Sequence, residues 1–177
     1  MDKPNTKNEQ SASTRRDFIK ASTVAAAGFM IVPRHVLGGK GFTAPSDKIV
    51  VAGVGVGGKG TSDIANFFKS GKADIGYLCD VDDRRAATSV TNFPKAKYYK
   101  DWREMFEKES KNFDAVSVST PDHTHAVVAM AAMQLGKHVY VQKPMTHDIY
   151  EARMLTEAAA KYKVVTQMGN QGASNPA

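Results

Sequence analysis

The stretch Gly53-Val54-Gly55-Val56-Gly57-Gly58-Lys59-Gly60 places five glycines within eight residues. Glycines so spaced have a chemical use that depends on what flanks them. Directly after a strand and at the mouth of a helix they permit a tight turn and leave no Cβ in the way. Backbone N–H groups and the positive helix end can then face a pyrophosphate. The run fits G-x-G-x-x-G in two registers, Gly53, Gly55 and Gly58 or Gly55, Gly57 and Gly60. The second is preferred because it keeps Ile49 to Val54 whole as a buried strand. A bare loop carries glycines equally well, but Asp80 lies 20 residues past Gly60, where the next apolar stretch ends. A carboxylate there accepts hydrogen bonds from an adenosine ribose 2′-OH and repels a 2′-phosphate, which favours NAD over NADP. Arg84 and Arg85 oppose that preference if they face the site, and are merely solvated if they do not.

Two further segments carry candidate chemistry. In Thr120-Pro121-Asp122-His123-Thr124-His125 the histidines are two apart, whereas a helical metal pair needs a spacing of four, and no cysteine or carboxylate cluster completes a ligand shell. No metal is expected. The segment reads instead as a strand-to-helix turn at the carboxyl end of a sheet, where open α/β folds bind ligands, with Pro121 ending the strand. His125 is either part of that site or a packed helix-start residue. Val141-Gln142-Lys143-Pro144 is a second such turn, and a lysine there can bind a substrate hydroxyl or help deprotonate it. Its plain alternative is a surface lysine before a turn proline.

These groups need a scaffold, and the apolar pattern supplies one. From Lys48 onward short Val-rich runs alternate with helical spacings, the signature of βαβ units around a parallel sheet buried on both faces. Strands are predicted at Lys48 to Val54, Ala73 to Val81, Asp114 to Thr120, Val139 to Gln142 and Lys163 to Met168. A short edge strand is expected near Tyr98-Tyr99. Helices are predicted around Ile64, Phe67 and Phe68 with Gly71 as terminator, around Trp102, Met105 and Phe106, over Val127 to Leu135 before Gly136, and through Ala152, Leu155, Ala159 and Tyr162 with Thr146 as cap. The fold class is α/β, a doubly wound parallel-sheet Rossmann domain over residues 45–177.

Composition agrees with one such domain and narrows its partners. The 177 residues are 42% hydrophobic and 24% charged, which excludes collagen-like, disordered and multi-span membrane classes. Residues 1–47 hold 7 basic and 4 acidic groups, leaving 17 and 14 in the rest. That balance is a solvated surface, and no basic stripe with interleaved aromatics points to nucleic acid. Cys79 is the single cysteine, so no intrachain disulfide forms. Residues 1–44 are a unit of their own: Thr14-Arg15-Arg16-Asp17-Phe18-Ile19-Lys20 precedes a weakly apolar Ala21 to Val32. Roughly 20 apolar residues are needed to span a bilayer core, so this stretch reads as an export signal with no stable membrane anchor. It resembles the twin-arginine consensus, implying the twin-arginine export machinery as a partner and an exported, periplasmic location.

The glycine run, Cys79-Asp80-Val81-Asp82, the Thr120 to His125 segment, Gly136-Lys137-His138-Val139-Tyr140-Val141 and Lys143-Pro144 follow one another in an order and spacing that resemble the Gfo/Idh/MocA oxidoreductases, over about residues 48 to 170. The resemblance implies NAD or NADP as cofactor and a sugar-like small molecule as substrate. It also implies a second, α+β domain that completes the site and forms a homo-oligomer in the full-length protein. It places Gly55, Gly57, Gly58 and Gly60 at the pyrophosphate, Asp80 at the ribose, Thr120, Pro121 and His125 beside the nicotinamide, and Lys143 at both cofactor and reacting carbinol. The family pattern is Glu-Lys-Pro, and Gln142 replaces its glutamate. The family's general base comes from the second domain, so cofactor binding is expected here with catalysis incomplete. Three functions remain open: a net sugar, glycoside or cyclitol oxidoreductase, a redox-neutral glycoside-cleaving or eliminating enzyme, and a non-catalytic dinucleotide-binding or assembly module.

Overall fold

The computed structural model describes residues 43–174; the expected export leader lies, up to residue 42, outside them. Six strands, β1 (Ile49–Val54), β2 (Ala73–Cys79), β3 (Lys97–Tyr99), β4 (Ala115–Val118), β5 (His138–Gln142) and β6 (Thr166–Gly169), form one sheet in the order β3-β2-β1-β4-β5-β6. Every pairing is parallel. The helices α1 (Lys59–Lys69), α2 (Asp83–Asn92), α3 (Trp102–Glu109), α4 (His125–Gln134) and α5 (Ile149–Tyr162) connect successive strands, and α6 (Gln171–Ser174) follows β6. This is the doubly wound Rossmann arrangement the alternating pattern predicts.

The central strands of the sheet are buried on both faces, each with its own core, while Thr166, Gln167 and Met168 of β6 are exposed. One face packs Ala52, Val54, Met105, Phe106, Phe113, Val116, Val118, Val128, Met133 and Leu155 together. The other packs Val51, Val56, Ile64, Ile75, Leu78 and Ala86. Ile75 and Tyr77 are two apart yet belong to opposite faces. The cause is a bulge: Val51 pairs with Ile75 and Ala52 with Tyr77, so Gly76 is skipped and the alternation inverts.

Register fixes where the chemistry collects. Val54 pairs with Cys79 and with Val118, and Val118 with Val141, so three strands end level and β5 runs one residue further. Gly55, Asp80 and Ser119, which follow the first three, and Gln142, the last residue of β5, therefore emerge along one edge. Chain direction across the sheet reverses between β2 and β4 on either side of β1, which opens a crevice at that edge.

Several boundaries differ from the sequence-based expectation. β2 stops at Cys79, because the Asp80 amide already bonds Tyr99 O at 3.2 Å and Val81 is 84% exposed at the turn. β4 is shorter at both ends than Asp114 to Thr120. Asp148, not Thr146, caps α5 by accepting from the Glu151 amide, while Thr146 Oγ1 donates to the Asp148 carbonyl. Lys163 is no strand residue. Its left-handed φ of 55° ends α5, and β6 starts only at Thr166.

Candidate functional site

The centre of the site is the β1–α1 turn. Gly55 has φ +78°, and a Cβ on it would lie 2.7 Å from the Ser119 carbonyl, so only glycine lets this turn approach the end of β4. Gly58, at φ +54°, is the N-cap of α1 and offers no side chain to its first-turn N–H groups. In α2, α3 and α5 that position holds Asp82, Asp101 or Asp148, each accepting from a backbone amide. α1 thus begins with no side-chain cap, its Gly60 N–H donating to the Gly57 carbonyl at 3.1 Å, and with the positive end of its dipole facing the crevice, an arrangement that suits an anion. Gly60 permits the closest contact, since its Cβ would lie 1.8 Å from the Gly55 carbonyl oxygen. Gly53 sits inside β1, which leaves the turn and helix start to the Gly55, Gly57, Gly60 register.

Gly57 is constrained from a direction the sequence does not reveal. A Cβ there would meet Arg85 Cβ at 2.7 Å, so the residue is held small by α2. Its N–H donates to Asp80 Oδ2 at 2.9 Å, and the Asp82 N–H donates to Asp80 Oδ1 at 3.0 Å. Asp80 is thereby fixed beside the turn, half-buried, with lone pairs left on both oxygens for a ligand's hydroxyls. Ser89, fully buried on α2, donates to Val56 O at 2.6 Å and ties that helix to the turn from below. A lone serine in a polar helix gives no sequence signal for that task.

Two cavities meet at this edge. One of about 770 Å³ is bounded by Gly55, Gly57, Asp80, Arg85, Trp102 and Thr120. Arg84 is not on its wall: its side chain is 92% exposed and pairs with Asp82. The other, about 970 Å³, is bounded by Asp63, Thr120, His125, Gln142, Lys143 and Met168. Lys59, Ser119 and Thr120 belong to both. Volumes of this size suit a small molecule or cofactor.

Pro121 borders the first cavity and ends the segment after β4 as expected. His125 opens α4 and is 1% exposed, with Nδ1 2.6 Å from Pro144 O and Nε2 2.7 Å from Thr120 O. Its ring braces the turn after β4 against the turn after β5. His123 is exposed and borders neither cavity. Lys143 is exposed on the wall of the larger cavity, and its ammonium has no ion-pair partner among the described residues. Cys79, beneath Asp80, is inert: burial first, then the Asp80 charge, pushes its thiol up to about 12. Asp63, Lys59 and Trp102 also reach these cavities without having been singled out by spacing, because a Lys and an Asp four apart on a helix look like an ordinary solvated pair.

Residues 48–170 match the Gfo/Idh/MocA family, described as an oxidoreductase family with an NAD-binding Rossmann fold. A glycosyl hydrolase family 109 protein of Shewanella baltica (strain OS155) is 28% identical over 171 residues, 83% of this chain and 37% of that protein. An alpha-N-acetylgalactosaminidase of Shewanella oneidensis is 26% identical over the same shares. Among solved structures, GenD2 from gentamicin A biosynthesis, in complex with NAD, superposes with a TM-score of 0.64 at 28% identity, covering 70% of this chain and 34% of that one. The chain therefore spans 37% of the length of these curated relatives. It belongs to the Gfo/Idh/MocA oxidoreductase family, and the part matched is that family's NAD-binding Rossmann fold.

Proposed function

We propose that this Gfo/Idh/MocA chain is the cofactor-binding part of an exported enzyme that acts on a carbinol of a sugar, glycoside or cyclitol. The observation that carries the reading is the Asp80 carboxylate held 2.9 Å from the Gly57 amide beside the uncapped start of α1, with Lys143 on the adjoining cavity. The amides of the Gly55 to Gly60 turn that are not donated within the fold, as those of Gly55, Gly57 and Gly60 are, bind the pyrophosphate together with the α1 dipole, and Asp80 accepts from the ribose hydroxyls and disfavours a 2′-phosphate. Thr120 and Pro121 close the wall beside the nicotinamide, and His125 holds that wall to the Lys143 turn. NAD, when bound, supplies the hydride acceptor or donor. Lys143 hydrogen-bonds the substrate hydroxyl, and its positive charge stabilises the oxygen as the proton leaves.

A net dehydrogenase and a redox-neutral glycoside-cleaving enzyme both use this constellation. The second is favoured by the names of the relatives above, a glycosyl hydrolase and an alpha-N-acetylgalactosaminidase. The test is product analysis with hexoses, glycosides and inositols. Glycoside cleavage without net change in nicotinamide absorbance supports the redox-neutral route, and oxidised sugar matched by reduced cofactor supports the dehydrogenase. Dinucleotide binding with neither product supports a non-catalytic module. The Arg15-Arg16 pair ahead of a short apolar stretch supports folded export, which would carry loaded cofactor out with the protein. Replacing both arginines with lysine is expected to abolish export on periplasmic fractionation, and undiminished export would remove that part of the reading.

A further inference from the structure

Beneath Lys143 lies a carboxylate that the function above does not use. Asp63, in the second turn of α1, has a side chain only 4% exposed and is met from three elements. Lys59 Nζ approaches its Oδ1 at 2.7 Å. Ser119 Oγ, just past β4, and Gln142 Nε2, at the end of β5, donate to its Oδ2 at 3.0 and 2.6 Å. The Gln142 side chain is buried as well, and its other end accepts from the Lys143 amide at 3.3 Å and from Gln171 Nε2 at 2.6 Å.

An ionised carboxylate only accepts, so Asp63 obliges Gln142 to turn its NH₂ inward. The carbonyl oxygen of Gln142 must then face the Lys143 amide and α6. A glutamate at 142, as in the Glu-Lys-Pro pattern, has no N–H to offer and would set two carboxylates at hydrogen-bond distance in a buried place, which is strongly unfavourable unless they share a proton. We propose that Asp63 supplies the buried negative charge of the Lys143 crevice, that it acts as a positioning residue for Lys143 through Gln142, and that glutamine at 142 is the residue this carboxylate requires. The charge is felt nearby, since burial first and then Asp63 push the Tyr140 phenol up. The titratable groups around the crevice are Lys59 on the same helix, Tyr140 and Lys143 on the β5 side, and Asp122 and His125 after β4.

This inference rests on Lys143 being the substrate-facing lysine, but its test reads the network itself. Wild type, Gln142→Glu, Asp63→Asn and the double variant Asp63→Asn/Gln142→Glu are melted as the whole chain at about pH 7 and about pH 5. The Lys143 backbone amide is followed by ¹⁵N NMR in each. Gln142→Glu alone is expected to melt roughly 5–10 °C below wild type at the higher pH and to recover at the lower one, where the pair can share a proton. The double variant keeps one negative charge with donor and acceptor exchanged, and is expected to return to within about 2 °C of wild type and to restore the Lys143 amide shift that Asp63→Asn displaces. An unaffected or pH-independent Gln142→Glu, or a double variant no better than the worse single one, would overturn the proposal. Titration of wild type with NAD is run alongside: failure to bind would sink the proposed function while leaving the result on Asp63 standing.

Discussion

Replacing Gly60 with alanine adds one methyl group at the most crowded point of the β1–α1 turn. The new Cβ would lie 1.8 Å from the Gly55 carbonyl oxygen and 2.9 Å from its carbon. Carbon and oxygen rest at roughly 3.3 Å or more, so the turn and the helix must part by about 1.5 Å, the rise of one helical residue. The obstacle is backbone, which has no rotamer to yield. The cost is therefore set at the upper end of overpacking, about 3 kcal/mol, or roughly 6–12 °C in melting temperature for a chain of this size. The same displacement pulls the first-turn amides of α1 away from those of the Gly55 turn. Losing two charge-assisted bonds of about 1.5–3 kcal/mol each predicts NAD affinity at least about 100-fold weaker. Calorimetric titration with NAD and a thermal melt measure both effects. Gly172→Ala is the control, since among the described residues nothing beyond its chain neighbours and its own helix backbone lies within 4 Å of its added Cβ. If Gly60→Ala melts like wild type and binds NAD within about threefold of it, the close-approach reasoning is refuted.

Two further outcomes follow from ionisable groups to which no part in binding is assigned. Glu109 is held down to about 2, first by its bond with Lys97 and then by Tyr99 and Asn112. A depressed carboxyl contributes stability that is present above its unfolded value of about 4.3 and lost as pH falls toward 2, so Glu109→Gln should flatten the acid unfolding curve in that window and leave the neutral side flat; an unchanged acid limb would count against the network. Cys79, 2% exposed and with its thiol pushed up, should resist a thiol reagent at neutral pH until the chain is unfolded in urea, and rapid labelling of the folded protein would contradict its burial.

The strands were legible because parallel strands covered on both faces leave continuous Val-rich runs, as in Ile49 to Val54, buried from Val51 on although Ile49 is exposed, and Val139 to Val141. The ends were less so, because caps depend on geometry: Thr146 and Asp148 are both good capping types, and only the path of the turn selects Asp148. The glycine turn and Asp80 were legible as a pair since spacing alone brings them to one edge. Other contacts had no pattern to find. Asp63 with Lys59 has the spacing of any surface ion pair, and its burial arises from Ser119 and Gln142, 56 and 79 residues away in sequence. His125 could be placed at a helix start, but the two carbonyls that hold its ring come from separate turns that meet only in the folded chain. The Gly76 bulge likewise reverses which side chains share a face without interrupting the apolar run.

The most direct test of the account is the affinity of this chain for NAD and NADP, measured by calorimetry on wild type and on Asp80→Ala. One NAD is expected to bind per chain, more tightly than NADP, and the variant is expected to lose that preference as the carboxylate facing the 2′ position is removed. No binding of either dinucleotide, or a wild-type preference for NADP that Asp80→Ala leaves unchanged, would contradict the claim that the Gly55 to Gly60 turn and Asp80 form an NAD site.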